Sequence, residues 1–166
     1  MHKASYDIMQ YFAKKYLFPG DNLKILDVGS LDVNGTYKDI FQKPNWRYSG
    51  LDLAEGKNVD IVSRSAYDFD LPDNVFDVVV SGNCLEHVEA PWLWIDEVEK
   101  AVKPGGLICI IVPFYVGPHR YPLDCWRILP DGMRYLLKKS GNLEIIECFQ
   151  NKLKPGDVWG IAKKSP

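Results

Sequence analysis

Two acidic residues and a glycine stand where a ligand could meet the backbone. The run Ile25-Leu26-Asp27-Val28-Gly29 closes on Gly29, and Gly50-Leu51-Asp52-Leu53 carries a second acidic residue further on. A glycine just past a buried strand lets the chain approach a ligand that a Cβ would hold off. A carboxylate at the end of the following strand can accept hydrogen bonds from both hydroxyls of a ribose. The alternative for Asp27 is a cap, and for Asp52 a turn; Asp52 is read as the ribose acceptor.

A second set of reactive side chains lies downstream. Asn83 and Cys84 follow an apolar run, with Glu86-His87 just beyond. The stretch from Pro113 to Gly132 holds His119, Arg120, Tyr121, Asp124, Trp126 and Arg127. An imidazole titrates near neutrality, so His119 is the candidate general base; its alternative is to order the segment through Asp124. Arg120 and Arg127 suit a bidentate grip on a carboxylate or phosphate, or pairing with Asp124. Trp126 reads as a packing anchor, and His87 as a structural residue of its loop. A long, aromatic, irregular connection of this kind is more often a functional lid than a plain link.

Alternating elements must position these groups. Ser5 is a plausible N-cap for a first helix carrying Ile8, Phe12 and Tyr16 on one stripe, stopped at Pro19-Gly20. Strands are expected over Leu23–Val28, Trp46–Leu53, Val59–Ser63, Phe76–Val80, Leu107–Val112, Leu143–Phe149 and Val158–Lys163. Short helices are expected over Thr36–Phe41, from Pro91 to a stop at Lys103-Pro104-Gly105-Gly106, and from Pro130 to Lys139 with Gly141 at C′. Trp94 or Ile95, Val98, and Ala101 or Val102 form the buried stripe of the second long helix. Alternation of this kind implies an α/β fold with a mainly parallel sheet. The last two strands are joined by a turn at Lys154-Pro155-Gly156-Asp157, too short for a parallel crossover, and should pair antiparallel. Ligands of such sheets bind beyond the carboxyl ends of the strands.

Composition narrows the function classes. The 166 residues are 46% hydrophobic and 25% charged, with a formal charge of −2, which suits one globular domain spanning 1–166 and argues against bulk-charge binding of nucleic acid. Residues 101–166 carry ten Lys/Arg against five Asp/Glu, read as solvated faces or as a side that meets an anionic substrate. Four separated cysteines form no C-x-x-C pair, and no H-x-x-x-H or carboxylate cluster has ligand spacing, so no metal site is expected. Cys109 and Cys148 sit in apolar runs and are read as core. The longest apolar run is far shorter than a bilayer span, so no membrane insertion is expected and a cytoplasmic location follows.

The motifs also carry a resemblance. Ile25 to Gly35, Gly50 to Leu53, Asp73 to Val88 with its Leu85-Glu86-His87-Val88 run, and Val102 to Gly106 resemble, in order and spacing, the class I S-adenosylmethionine-dependent methyltransferases, type 11-like. The resemblance implies a three-layer α/β/α sandwich around a seven-stranded, mostly parallel sheet of order 3-2-1-4-5-7-6, with strand 7 antiparallel. It implies S-adenosyl-L-methionine as cofactor, with Asp27 near the methionine ammonium and Gly29 and Ser30 beneath the methionine. Asp52 and Leu53 would meet the ribose. Ser65 and Ala66 would stand at the adenine, where an acidic residue is usual; Asp68 is an alternative, and Tyr67 either stacks or packs. Asn83 and Cys84 would border the methyl group. Gly29-Ser30-Leu31 departs from the usual G-x-G, and the missing G-x-G-x-x-G argues against a dinucleotide dehydrogenase.

The H-x-x-P-x-D-x-W-R pattern from His119 to Arg127 resembles a branch associated with glycan biosynthesis, with Leu129 where a threonine N-cap is usual. The expected activity is therefore methyl transfer to a small-molecule or glycan-type acceptor, at O or N, with His119, Arg120, Tyr121 and Arg127 toward the acceptor. The chain shows little beyond a catalytic core, and its oligomeric state is left open. The alternative is a non-catalytic S-adenosylmethionine-binding partner subunit.

Overall fold

In the computed structural model, which describes residues 2–151 and 156–166, the strands form one sheet of order β3-β2-β1-β4-β5-β7-β6. They are β1 Leu23–Val28, β2 Trp46–Asp52, β3 Ile61–Val62, β4 Phe76–Gly82, β5 Val102–Pro113, β6 Leu143–Gln150 and β7 Asp157–Lys164. Pairings β1·β2, β1·β4, β2·β3 and β4·β5 are parallel, and β7 runs antiparallel to both β5 and β6. The expected strand order and the antiparallel final pair are both present. Of the expected final turn, 154–155 lie outside the described residues.

Alternation of side chains explains the layers. In β5, Ile108, Ile110 and Val112 join one apolar cluster while Cys109 and Ile111 join another. In β4, Val79 belongs to the first, and Val78 and Val80 to the second. Successive residues of a strand point to opposite faces, so these are the two sides of a sheet buried on both. Helices α2 (Pro91–Ala101) and α3 (Pro130–Lys138) cover the first side with Trp94, Ile95, Val98, Ala101, Met133 and Leu137. Helix α1 (Lys3–Tyr16) covers the other with Met9, Phe12 and Ala13. Both Cys109 and Cys148 are buried.

Several local expectations shift. His2, rather than Ser5, is the N-cap of α1; Ser5 is fully buried and its hydroxyl bonds the Tyr37 hydroxyl. The stripe is accordingly rotated onto Ser5, Met9, Phe12 and Ala13. Thr36–Phe41 contains only a 3₁₀ turn, Lys38–Phe41. Lys103-Pro104-Gly105-Gly106 is not a break before β5. It is an outward bulge within β5, since Phe76 pairs with Val102 and Val78 already pairs with Leu107. Gly105 makes that bulge possible with φ +76°. The third strand shrinks to two residues, whereas β4 extends through Ser81 and Gly82 toward the ligand edge.

Candidate functional site at the carboxyl ends of the strands

Parallel register brings the sequence-predicted residues to one edge. Asp27 pairs with Gly50 on one side and Val80 on the other, so the ends of β1, β2 and β4 lie side by side. Asp27 is 2% exposed, and its Oδ2 accepts a 2.6 Å hydrogen bond from the Tyr48 hydroxyl. Burial pushes the Asp27 carboxyl up to about 7; the Tyr48 bond opposes this and the nearby Asp52 charge adds to it. Among the described residues no cationic side chain pairs with it, so this buried carboxylate is suited to a ligand that brings one.

Asp52 holds the glycine loop. Its Oδ2 accepts the Leu31 N–H at 3.0 Å, and its Oδ1 the Leu53 N–H at 2.7 Å. Each oxygen keeps acceptor capacity for a further donor. Gly29 adopts φ +80°, and its N–H and that of Ser30 both bond the Leu51 carbonyl. The Ser30 hydroxyl is buried on the Asn58 carbonyl, so it serves the loop rather than an incoming ligand. Asn58 is the hub that the sequence analysis missed. At φ +70°, its amide reaches the Ser30 carbonyl and the Tyr48 hydroxyl. An asparagine in a left-handed turn is a local signal, but its partners lie 28 and 10 residues away and carry no spacing rule.

The expected adenine side is a small turn. The Ser65 hydroxyl accepts the Tyr67 N–H, and Ser65 bridges Asp68 through the backbone. Tyr67 packs against the core and its hydroxyl accepts the Ala90 N–H. Ala66 also packs there, Leu53 is exposed, and Asp68 pairs with Arg64. Beyond β4, Asn83 stands at φ +56° and Cys84 packs against Gly29. Burial raises the Cys84 thiol, keeping it neutral and unreactive.

The lid after β5 is tied to the residues after β4. The Glu86 carbonyl accepts the Cys125 and Trp126 N–H groups, and Trp126 Nε1 donates to the Val88 carbonyl. Arg127 grips both Asp124 oxygens at 2.6 and 2.8 Å and also donates to the Val116, Gly117 and Trp126 carbonyls. Its guanidinium is therefore engaged inside the lid, the pairing with Asp124 that the sequence left open beside a role toward an acceptor. Arg120 and Tyr121 are exposed, and among the described residues Arg120 has no carboxylate partner. His119 is not aimed outward: its Nε2 lies 3.6 Å from Glu86 Oε1 and its Nδ1 faces the Gly117 carbonyl. Glu86 is fully buried, and burial pushes its carboxyl up to about 8, against a smaller pull from the Arg127 charge. Two surface hollows, of about 390 Å³ beside Asp7 and Tyr11 and about 290 Å³ beside Asp77 and Lys103, lie away from this edge.

Known proteins match this arrangement. The profile of a methyltransferase domain family, type 11, matches residues 26–110, from β1 into β5.

The chain belongs to the class I S-adenosylmethionine-dependent methyltransferases.

An uncharacterized methyltransferase of Mycobacterium leprae is 30% identical over 105 residues, 57% of this chain and 38% of the relative. The chain thus spans well under half of that relative. A solved S-adenosylmethionine-dependent methyltransferase of Aquifex aeolicus superposes with TM-score 0.70 at 15% identity, covering 96% of this chain and 89% of that one. A Burkholderia thailandensis 1,6-didemethyltoxoflavin N1-methyltransferase, solved with its substrate and S-adenosylhomocysteine, superposes with TM-score 0.73 at 19% identity, covering 98% and 79%. At such identities the two structures speak for the methyltransferase fold alone. No helix among the described residues is long and apolar enough to cross a membrane.

The site fits the family's cofactor by the chemistry of its groups. S-adenosylmethionine presents an ammonium and two ribose hydroxyls as donors, and Asp27 and Asp52 are acceptors at adjacent strand ends.

Proposed function

We propose that the protein transfers a methyl group from S-adenosylmethionine to a small-molecule or glycan-type acceptor at O or N. One observation carries the acceptor reading. The lid is fastened to the Glu86 and Val88 carbonyls, so exposed Arg120 and Tyr121 stand beside the carboxyl end of β4. An aromatic ring for stacking and a guanidinium with no carboxylate partner among the described residues suit a sugar-like or carboxylated acceptor.

The bound cofactor supplies an electrophilic methyl on a sulfonium. The protein's own task is alignment. Asp27 meets the ammonium and Asp52 the ribose, with Gly29, Ser30 and Leu53 shaping the walls and Ser65 and Ala66 the adenine end. Asn83 and Cys84 border the methyl. Residues 1–166 act as one methyltransferase domain. His119, in the lid beside Arg120 and Tyr121, is the candidate base for an acceptor hydroxyl, a role that requires its Nε2 to turn away from Glu86. The test is S-adenosylhomocysteine release across a panel of sugars, phenols and carboxylated heterocycles. Acceptor-dependent release supports the proposal; tight cofactor binding with no release for any acceptor supports the partner-subunit alternative.

A further inference from the structure

Two imidazole nitrogens and a carboxylate converge, and once Glu86 gives up its proton all three are acceptors with no donor between them. His87 Nδ1 lies 2.5 Å from the Leu123 carbonyl, and His119 Nδ1 lies 3.2 Å from the Gly117 carbonyl. A carbonyl only accepts, so each Nδ1 carries a proton, and as a metal ligand each ring would offer the lone pair of Nε2 on the other side. Both Nε2 atoms lie 3.6 Å from Glu86 Oε1. Glu86 has no surface exposure, and neither carboxylate oxygen has a hydrogen-bond partner among the described residues. A buried group of this kind facing two imidazole lone pairs either keeps its proton or takes a positive centre in the proton's place.

From this geometry we infer that Glu86, His87 and His119 form a binding site for a divalent cation of the zinc class, with one coordination position left open. The three ligand atoms all lie within 4.8 Å of one another. Metal–ligand bonds of about 2.0–2.1 Å in a tetrahedron put ligands about 3.4 Å apart, close to the two 3.6 Å separations. Imidazole nitrogen with one carboxylate is a donor set for zinc, cobalt or iron rather than for magnesium or calcium. The outer partners are already in place, because a metal-bound imidazole characteristically donates its other N–H to a carbonyl or carboxylate. Asp124 adds a carboxylate 3.8 Å from His119 Nδ1, and its bidentate grip neutralises Arg127, the nearby positive charge.

The site also explains two residues that the cofactor does not use. Glu86 and His87 lie just beyond β4, and His119 comes from the lid, so the cation would clip the lid to the sheet edge. An acceptor oxygen in the open position is a role that rests on the methyltransferase reading; binding of the ion itself does not.

The test is calorimetric titration of chelator-treated full chain with zinc chloride, followed by cobalt(II) absorption spectroscopy, without cofactor or acceptor. One equivalent should bind with an affinity on the order of micromolar or tighter, and cobalt should give the intense visible bands of a low-coordinate site. Glu86→Gln and His119→Ala should each weaken binding by about 100-fold or more while melting cooperatively. Cys125→Ser and His2→Gln control for adventitious binding at the exposed thiol and the remaining histidine, and should leave affinity unchanged. Absence of binding by folded wild type, or binding that survives Glu86→Gln and His119→Ala together, overturns the inference. Because no step uses S-adenosylmethionine, a failure here is distinct from a failure of the proposed methyl transfer.

Discussion

A Cβ placed on Gly29 would lie 2.5 Å from both Cβ and Sγ of Cys84. The glycine is therefore required by the protein's own packing as well as by any ligand above it. Its φ of +80° adds a backbone demand that other residues meet poorly. Gly29→Ala should cost about 2–4 kcal/mol and lower the melting midpoint by about 5–15 °C without any ligand present. Calorimetric melting checks this; a midpoint equal to wild type would mean the β1 loop and Cys84 do not pack as described.

Asp52 does two things at once, holding the Leu31 N–H and presenting acceptors at the end of β2. Asp52→Ala should weaken S-adenosylmethionine binding by about tenfold or more, the scale of a lost charge-assisted bond. Asp52→Asn, which keeps one acceptor, should fall between. Equal affinity in all three proteins would remove Asp52 from the site.

The raised Asp27 carboxyl gives cofactor binding a pH dependence. An ammonium is favoured by the ionised form, and ionisation occurs near pH 7. Affinity for S-adenosylmethionine should fall as the pH drops from 8 to 6, and Asp27→Asn should bind weakly with a flatter profile. Parallel profiles for the two proteins would contradict the pairing.

Glu86 gives stability a pH dependence of the opposite sense to that of a salt-bridged carboxylate. Its native value is raised to about 8, so the folded state keeps a proton that the unfolded chain has released. Glu86's contribution to metal-free stability is therefore fully present below the unfolded value near 4.5 and is lost as pH rises through 8, by up to about 1.4 kcal/mol per unit. Asp27 contributes a similar fall that is largely complete near pH 7, so the interval from pH 7 to 8 isolates Glu86. Denaturant titrations with chelator present should show Glu86→Gln losing that slope; an unchanged slope would mean that Glu86 is ionised in the native protein.

The sheet was legible because its signals are local. Dense β-branched runs, Pro91 and Pro130 at helix starts, and Gly141 at φ +80° behind α3 each act within a few residues. The strand-end positions of Asp27 and Asp52 were legible for the same reason, since a strand end is readable from the strand. The Lys103–Gly106 bulge was hidden because only pairing with Phe76 and Val78 shows that the strand resumes in register. For Arg127 the sequence could not choose between Asp124 and an acceptor anion, because both are chemically equal partners for a guanidinium. Tyr48, Asn58 and the inward turn of His119 toward Glu86 depend on contacts between distant segments, and no spacing in a single chain encodes them.

The central claim is that these strand ends bind the methyl donor, and titration calorimetry with S-adenosylmethionine, S-adenosylhomocysteine and NAD tests it most directly. The account predicts one-to-one binding of both sulfur nucleosides, on the order of micromolar, and none of NAD. Binding of NAD in place of the sulfur nucleosides, or of none of the three by the folded protein, would contradict it.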